Sequence, residues 1–244
     1  PQSLDTHVRG SFSFADAYDG GYLNHTYPNT VMDFSGAVAR ADVPVVSHET
    51  GQFQVYPDYR EIAKYTGVLY PYNMEVFRDR LARAGMSEQA EDFFLASGRW
   101  AAELYKADIE MDLRTEGLAG FQLLDLQDYP GQGSAYVGIL DAFMDSKGLV
   151  SPERWRGFCN EVVPLLLTEK FCWTEGETLM ARVKVAHYGA RSLQGTELAW
   201  TLRDEQGHVA GKGVCPIVSS GRGLLDKLDR LTREAYFGGN GAKS

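Results

Sequence analysis

The sequence predicts an α/β region followed by a small antiparallel β module. Two short runs read as buried strands, the apolar β-branched 43–47 and the Leu-rich 120–126, and segments of helical periodicity separate them. Near Thr168 the apolar spacing changes from helical to alternating, and turn residues separate the alternating runs.

The elements follow in order. Residues 1–42 are rich in Gly, Asp, Asn, Ser and Tyr. A strand is expected at His7–Phe14, with Val8, Gly10, Phe12 and Phe14 on one face. A long loop follows, with turn signals at Asp19-Gly20-Gly21 and Tyr27-Pro28-Asn29. Val43–Ser47 reads as a buried parallel strand, with Pro44 near its first residue. A helix is expected from about Asp58 through Tyr65, and a second over Asn73–Ala84, ending at Gly85. Ser87–Arg114 carries the strongest helical pattern, with Ser87 as N-cap and Gly98 weakening its middle. Gly120–Leu126 reads as another buried strand that leads Asp125, Gln127 and Asp128 into the turn Pro130–Gly133. Ser151–Val163 reads as a helix, with Pro152 at its first position. Beyond Thr168, residues 177–186, 197–203 and 209–214 read as strands, the last two joined by Asp204-Glu205-Gln206-Gly207. The glycine-rich end, Gly238–Ser244, reads as a disordered tail.

Composition narrows the function classes. The 244 residues allow one large domain or two ordinary ones, and 44% hydrophobic content permits a sizeable core. With 24 basic and 33 acidic residues the net charge is −9, which argues against a nucleic-acid partner. The longest apolar runs, such as Val162–Leu167, are too short to span a bilayer, so no membrane partner is expected. No basic stretch followed by an apolar one marks a signal peptide, and Pro1 suggests a chain that begins partway through a domain. The three cysteines, Cys159, Cys172 and Cys215, lack metal-ligand spacing and read as small buried hydrophobes. No phosphate-binding or metal motif is present, so no cofactor and no metal are expected.

Two acidic groups fall at the ends of expected strands. Glu49 follows Val43–Ser47, and Asp125 with Asp128 follows Gly120–Leu124. In a β/α barrel, strand ends carry the chemistry. A glycosidase needs one carboxylate at the anomeric carbon and a second carboxyl that protonates the leaving oxygen. By position alone Glu49 is equally readable as a helix-capping or salt-bridged residue. His48 serves either the substrate and the nucleophile or the local packing. Gln52, Gln127 and Asp128 have the side chains to bind sugar hydroxyls, as do Tyr18, His25 and Tyr27 on the long loop, where aromatics also simply pack down.

The run Pro44-Val45-Val46-Ser47-His48-Glu49-Thr50-Gly51-Gln52 resembles the seventh barrel strand of glycoside hydrolase family 2 and its clan A relatives. Gly120-Phe121-Gln122-Leu123-Leu124-Asp125-Leu126-Gln127-Asp128 resembles their eighth strand, and the module after Thr168 resembles the sandwich that follows the barrel. The resemblance covers roughly residues 5–215. It implies a partial (β/α)8 TIM barrel, about strands 6–8, over residues 1–167, a small antiparallel β-sandwich over 168–218, and a tail over 219–244. It further implies a retaining, β-galactosidase-like hydrolase of β-linked sugars, with Glu49 as nucleophile. His48, Gln52, Asp125, Gln127, Asp128 and Tyr129 are the implied substrate-binding residues, and a periplasmic or secreted location is implied as well.

Two positions depart from the family. Where it carries a sugar-stacking Trp, this chain reads Leu-Asp-Leu-Gln-Asp, leaving Tyr129 or Tyr136 to substitute. The family's acid/base sits in an Asn-Glu pair before the nucleophile. The pair here, Asn160-Glu161, falls in the expected helix after the eighth strand and is rejected, so the acid/base is expected upstream of Pro1. The rival readings are a non-catalytic carbohydrate-binding or scaffold protein derived from a barrel glycosidase, and a hydrolase that uses Asp125 and Asp128 as its working pair.

Overall fold

The computed structural model describes residues 27–39, 41, 44–190, 193, 195–219 and 233–238. The elements run α1 (Ser35–Val38), β1 (Val45–Thr50), α2 (Tyr72–Arg83), α3 (Ala90–Arg114), β2 (Leu118–Leu123), α4 (Pro152–Arg156), β3 (Val162–Leu167), β4 (Met180–His187), β5 (Glu197–Arg203), β6 (Val209–Pro216), β7 (Val218–Ser219) and β8 (Arg233–Gly238). Two compact units emerge. One comprises Val46–Ile109 and Gly120–Phe158; the other takes the described residues before Val46, Glu110–Ala119 and those from Cys159 on.

In the first unit, Asp58 caps a 3-10 helix, Tyr59–Lys64, by accepting the Arg60 N–H. α2 ends as its sequence dictates. Gly85 takes φ 71°, and the Gly85 and Met86 N–H groups donate back to the Ala82 and Leu81 carbonyls. α3 spans about 37 Å by its 25 residues. Its buried stripe includes Phe94, Gly98, Ala101, Tyr105 and Ile109, at spacings of three and four. Ser87 is not the cap of α3: it opens a separate 3-10 turn, Ser87–Gln89. Gly98 admits Leu149, whose side chain occupies the space a Cβ would need. Val55, Phe94 and Ala101 form a core with Phe53, Leu95 and Leu149 packed on it.

The second unit is mainly antiparallel. A four-stranded sheet runs β3-β4-β8-β7, and β5 pairs β6 in a separate two-stranded sheet. Along β3, Val163, Leu165 and Leu167 are buried and alternate with exposed Val162, Pro164 and Leu166. Pro164 opposes Val185 of β4, and β3 is the edge of its sheet, where a missing N–H is tolerated. The β5–β6 hairpin closes through Asp204–Gly207, with Gly207 at φ 86°.

These elements correct the barrel expectation. β1 and β2 make a sheet of two strands, two 3-10 helices and the helices α2 and α3 lie between them, and the remaining strand pairs are antiparallel. A (β/α)8 barrel needs parallel strands alternating with single helices, and no such alternation runs through the described residues. The described residues form four α-helices and small sheets instead of a partial TIM barrel with a sandwich. The expected strand at 7–14, the turn at 19–21, and the candidates Tyr18 and His25 lie outside the described residues, as does the tail from 239.

Other boundaries move for local reasons. The helix expected over 151–163 ends at Arg156, and Val162–Leu167 is a strand, because its β-branched residues and Pro164 suit an edge strand. The antiparallel strands extend beyond 168–218, taking in β3 before it and β8 after it. No cysteine is buried: Cys172 is exposed, and Cys159 and Cys215 are intermediate. Among the described residues no helix is long and apolar enough to cross a membrane.

Candidate functional site

The end of β1 departs from strand geometry. Glu49 has φ 57°, Gly51 φ 102° and Gln52 φ 69°. Positive φ at non-glycine residues is uncommon, and here it falls at Glu49 near the end of β1 and at Gln52 just beyond it. Gly51 is required where it stands. A Cβ there would overlap the Tyr105 ring, which is fully buried. The Tyr105 hydroxyl in turn donates to the Val137 carbonyl at 2.6 Å and to the Asp125 carbonyl at 3.4 Å. Leu124 N–H donates to the Thr50 carbonyl at 3.1 Å, which ties the ends of β1 and β2 together. The Leu124–Asp125 peptide bond is cis.

On this turn sits a polar cluster. Gln52 Nε2 donates to Glu49 Oε2 at 3.0 Å. His48 Nε2 stands 3.7 Å from Glu49 Oε1, and His48 Nδ1 is 2.9 Å from Gln122 Oε1 on β2. The Glu49 side chain is 22% exposed, so it is shielded yet reachable. The structure therefore brings His48, Glu49 and Gln52 together. It adds Gln122, which the sequence reading passed over; strand alternation along β2 is the signal that places Gln122 and Gly120 on one side. Tyr105 is also an addition, legible only as part of the helical stripe.

Asp128 is placed differently. It is buried, and its Oδ1 accepts from Lys147 Nζ at 2.6 Å and from the Gly138 N–H at 2.9 Å. Lys147 is equally buried and donates a second bond to the Gly138 carbonyl at 2.9 Å. Burial raises the Asp128 carboxyl above its ordinary range, and the Lys147 ammonium opposes that shift. Its carboxylate is engaged by Lys147 and Gly138 within the fold.

Nearby, Glu61 is buried and accepts the Tyr65 hydroxyl at 3.0 Å. Its carboxyl is raised by burial first, with the Asp128 and Asp141 charges adding to the shift, while the Tyr65 bond and Lys147 lower it. Lys64 bonds Asp141 and, at 2.8 Å, Asp145. Burial, with Glu61 and Asp128 adding to it, pushes the Tyr136 phenol up to about 12.

The remaining candidates are dispersed. Asp125 is half-buried, with its carbonyl bonded by Tyr105. Gln127 bridges Leu140 through its backbone. Tyr129 is 52% exposed, its backbone pairs with Ala135, and its ring lies over Gly131. Tyr27 is exposed. Asn160-Glu161 lies in the bend before β3, not in a helix. Among the described residues no group of three His, Cys, Asp or Glu side chains is arranged to hold a metal. A groove of about 210 Å³, lined by Pro57, Asp58, Tyr59, Arg60, Glu91 and Phe94, contains none of these candidates. Its charges satisfy one another, with Arg60 at 2.8 Å from Asp58 and 3.7 Å from Glu91. The convergent polar groups around Glu49 therefore outweigh concavity as the mark of the site.

A family described as a domain of unknown function (DUF8488) matches residues 177–235, a span that includes β4, β5 and β6 and lies away in sequence from Glu49. No curated protein matches the chain.

Proposed function

We propose that this chain belongs to a retaining hydrolase of β-linked glycosides, similar to the β-galactosidases of glycoside hydrolase family 2, with Glu49 as the nucleophile. The observation that carries the reading is Glu49 itself. A glutamate with φ 57° at a strand end, its carboxylate held by a side-chain amide and flanked by an imidazole, is a strained and oriented acid. Backbone strain of this kind is found preferentially at functional sites. The sequence resemblance supplies the reaction class.

In that reaction a Glu49 oxygen attacks the anomeric carbon as the bond to the leaving oxygen breaks. A carboxylic acid protonates that oxygen, and water then hydrolyses the glycosyl ester to restore Glu49. The Gln52 amide holds Oε2 by hydrogen bond, which orients the carboxylate for attack. Asp128 is not assigned the acid role, because Lys147 and Gly138 occupy its carboxylate. No carboxyl among the described residues is assigned the general-acid role, and hydrolysis of ordinary glycosides by the chain is expected to be slight.

An activated substrate removes the need for that acid. The chain is incubated with a 2-deoxy-2-fluoro β-galactoside that carries a dinitrophenyl leaving group, and intact mass and peptide mapping are read. The expected result is one glycosyl adduct on Glu49, absent from Glu49→Gln. No adduct, or an adduct that persists in Glu49→Gln, rejects the reading. Sugar binding that ignores Glu49→Gln would instead favour a non-catalytic carbohydrate-binding protein.

A further inference from the structure

The first unit holds a second polar cluster, built by the 3-10 helix Tyr59–Lys64 and the segment from Asp128 to Lys147. Lys64 ties the two together by bonding Asp141 and, at 2.8 Å, Asp145, and the rings of Tyr65 and Phe143 meet at 4.9 Å. Asp128 Oδ1 takes both the Lys147 ammonium and the Gly138 N–H. Tyr136, just before Gly138, packs its ring against that of Phe77 at 6.3 Å.

Three oxygens of this cluster keep acceptor capacity. Among the described residues, Glu61 receives the Tyr65 hydroxyl on Oε1, and nothing bonds its Oε2. Both donors to Asp128 go to Oδ1, which leaves Oδ2. Tyr136 is 8% exposed, and its hydroxyl bonds none of the described residues. Burial first, and then the charges of Glu61 and Asp128, push this phenol up, so the hydroxyl lies in the field of both carboxylates. The local charge is negative, because Glu61, Asp128, Asp141 and Asp145 outnumber Lys64 and Lys147. Open acceptors in a negative field call for a cation that donates hydrogen bonds. A primary ammonium brings one charge and three N–H donors. A sugar hydroxyl brings no charge, and an alkali ion brings no directional donor.

We propose that Glu61, Asp128 and Tyr136 form a binding site for a small primary ammonium ion, whose N–H groups meet Glu61 Oε2, Asp128 Oδ2 and the Tyr136 hydroxyl. The site shares no residue with the Glu49 cluster and does not depend on the hydrolase reading.

The test titrates methylammonium chloride into the full chain at neutral pH and follows the ring carbon NMR signals of labelled tyrosine. The Tyr136 and Tyr65 signals are assigned by their loss in Tyr136→Phe and Tyr65→Phe. The Tyr136 signal is expected to shift saturably, and not to do so with potassium chloride or with tetramethylammonium chloride at the same ionic strength. Glu61→Gln keeps an acceptor for Tyr65 and removes a charge, and should weaken methylammonium binding roughly tenfold. Tyr136→Phe keeps the ring against Phe77 and should weaken it about fivefold, read on the Tyr65 signal. A wild-type shift that rises linearly without saturation overturns the proposal. Saturation by potassium or tetramethylammonium with equal affinity also overturns it, because the site would then answer to charge alone. Unchanged methylammonium affinity in either variant, with the spectrum of a folded chain, does the same; should one variant fail to fold, the other decides.

Discussion

The ring of Tyr105 occupies the space that a Cβ on Gly51 would need, so any side chain at residue 51 would enter the ring. This packing joins the turn that carries Glu49 to the buried stripe of α3. Gly51→Ala adds both a clash and a side chain at φ 102°. It should destabilise the chain by about 3 kcal/mol, combining an overpacking cost with a backbone cost. Tyr105→Phe keeps the ring but strips the Val137 carbonyl of its 2.6 Å partner, at about 1–3 kcal/mol. Urea denaturation of the two variants checks the order; an Ala variant as stable as wild type would show that the turn does not depend on the glycine.

Lys147 and Asp128 form a buried ion pair. Lys147→Met leaves a carboxylate without its cation and should cost about 3–5 kcal/mol. The double variant Asp128→Asn with Lys147→Met should recover part of that loss, so the cycle is strongly non-additive. Additive losses in the denaturation midpoints would mean that the two groups are energetically independent.

Glu61 sets a pH dependence of opposite sign to that of most carboxylates. Its folded-state value is raised above 4.5, chiefly by burial. Its contribution to stability is therefore full below the unfolded value and is lost as pH rises through the raised folded value. Glu61→Gln keeps an acceptor for Tyr65 and removes the titration. Its melting temperature should gain on wild type as pH rises above 4.5 and then level off. A difference that does not change with pH between 4 and 8 contradicts the assignment.

In the β5–β6 hairpin Trp200 pairs across to Gly213, and a Cβ on that glycine would lie 2.7 Å from the indole nitrogen. Gly213→Val suits strand propensity but displaces the ring, and should cost about 1–3 kcal/mol. Denaturation gives the magnitude, and the Trp200 indole NMR signal shows whether the displacement is local. A stabilised valine variant would mean that the ring moves aside without penalty.

Local structure was legible where local chemistry decides it. Gly85 marks the end of α2, Asp58 the start of the 3-10 helix, and Asp204–Gly207 the hairpin turn. Ser151 and Pro152 correctly open α4, but nothing in its helical pattern announces that Val162–Leu167 will pair with β4 instead. The strand-helix rhythm of 43–126 suggested a barrel because rhythm does not specify pairing partners. β1 finds one partner, β2. Placing Glu49 at a strand end needed only the apolar run before it. The position of Asp128 looked equivalent, yet its fate was decided by Lys147, nineteen residues later, at a spacing no periodicity predicts. Gln122 was hidden for the same reason, since its partner His48 is 74 positions away.

The seclusion of Lys147 gives the fold a built-in chemical reporter. Its side chain is 4% exposed, whereas that of Lys64 is 38% exposed. An amine-acylating reagent should label Lys64 from the native state but reach Lys147 only when the chain opens around it. The labelling rate at that one nitrogen thus times the breathing of the segment that runs from Asp128 to Lys147.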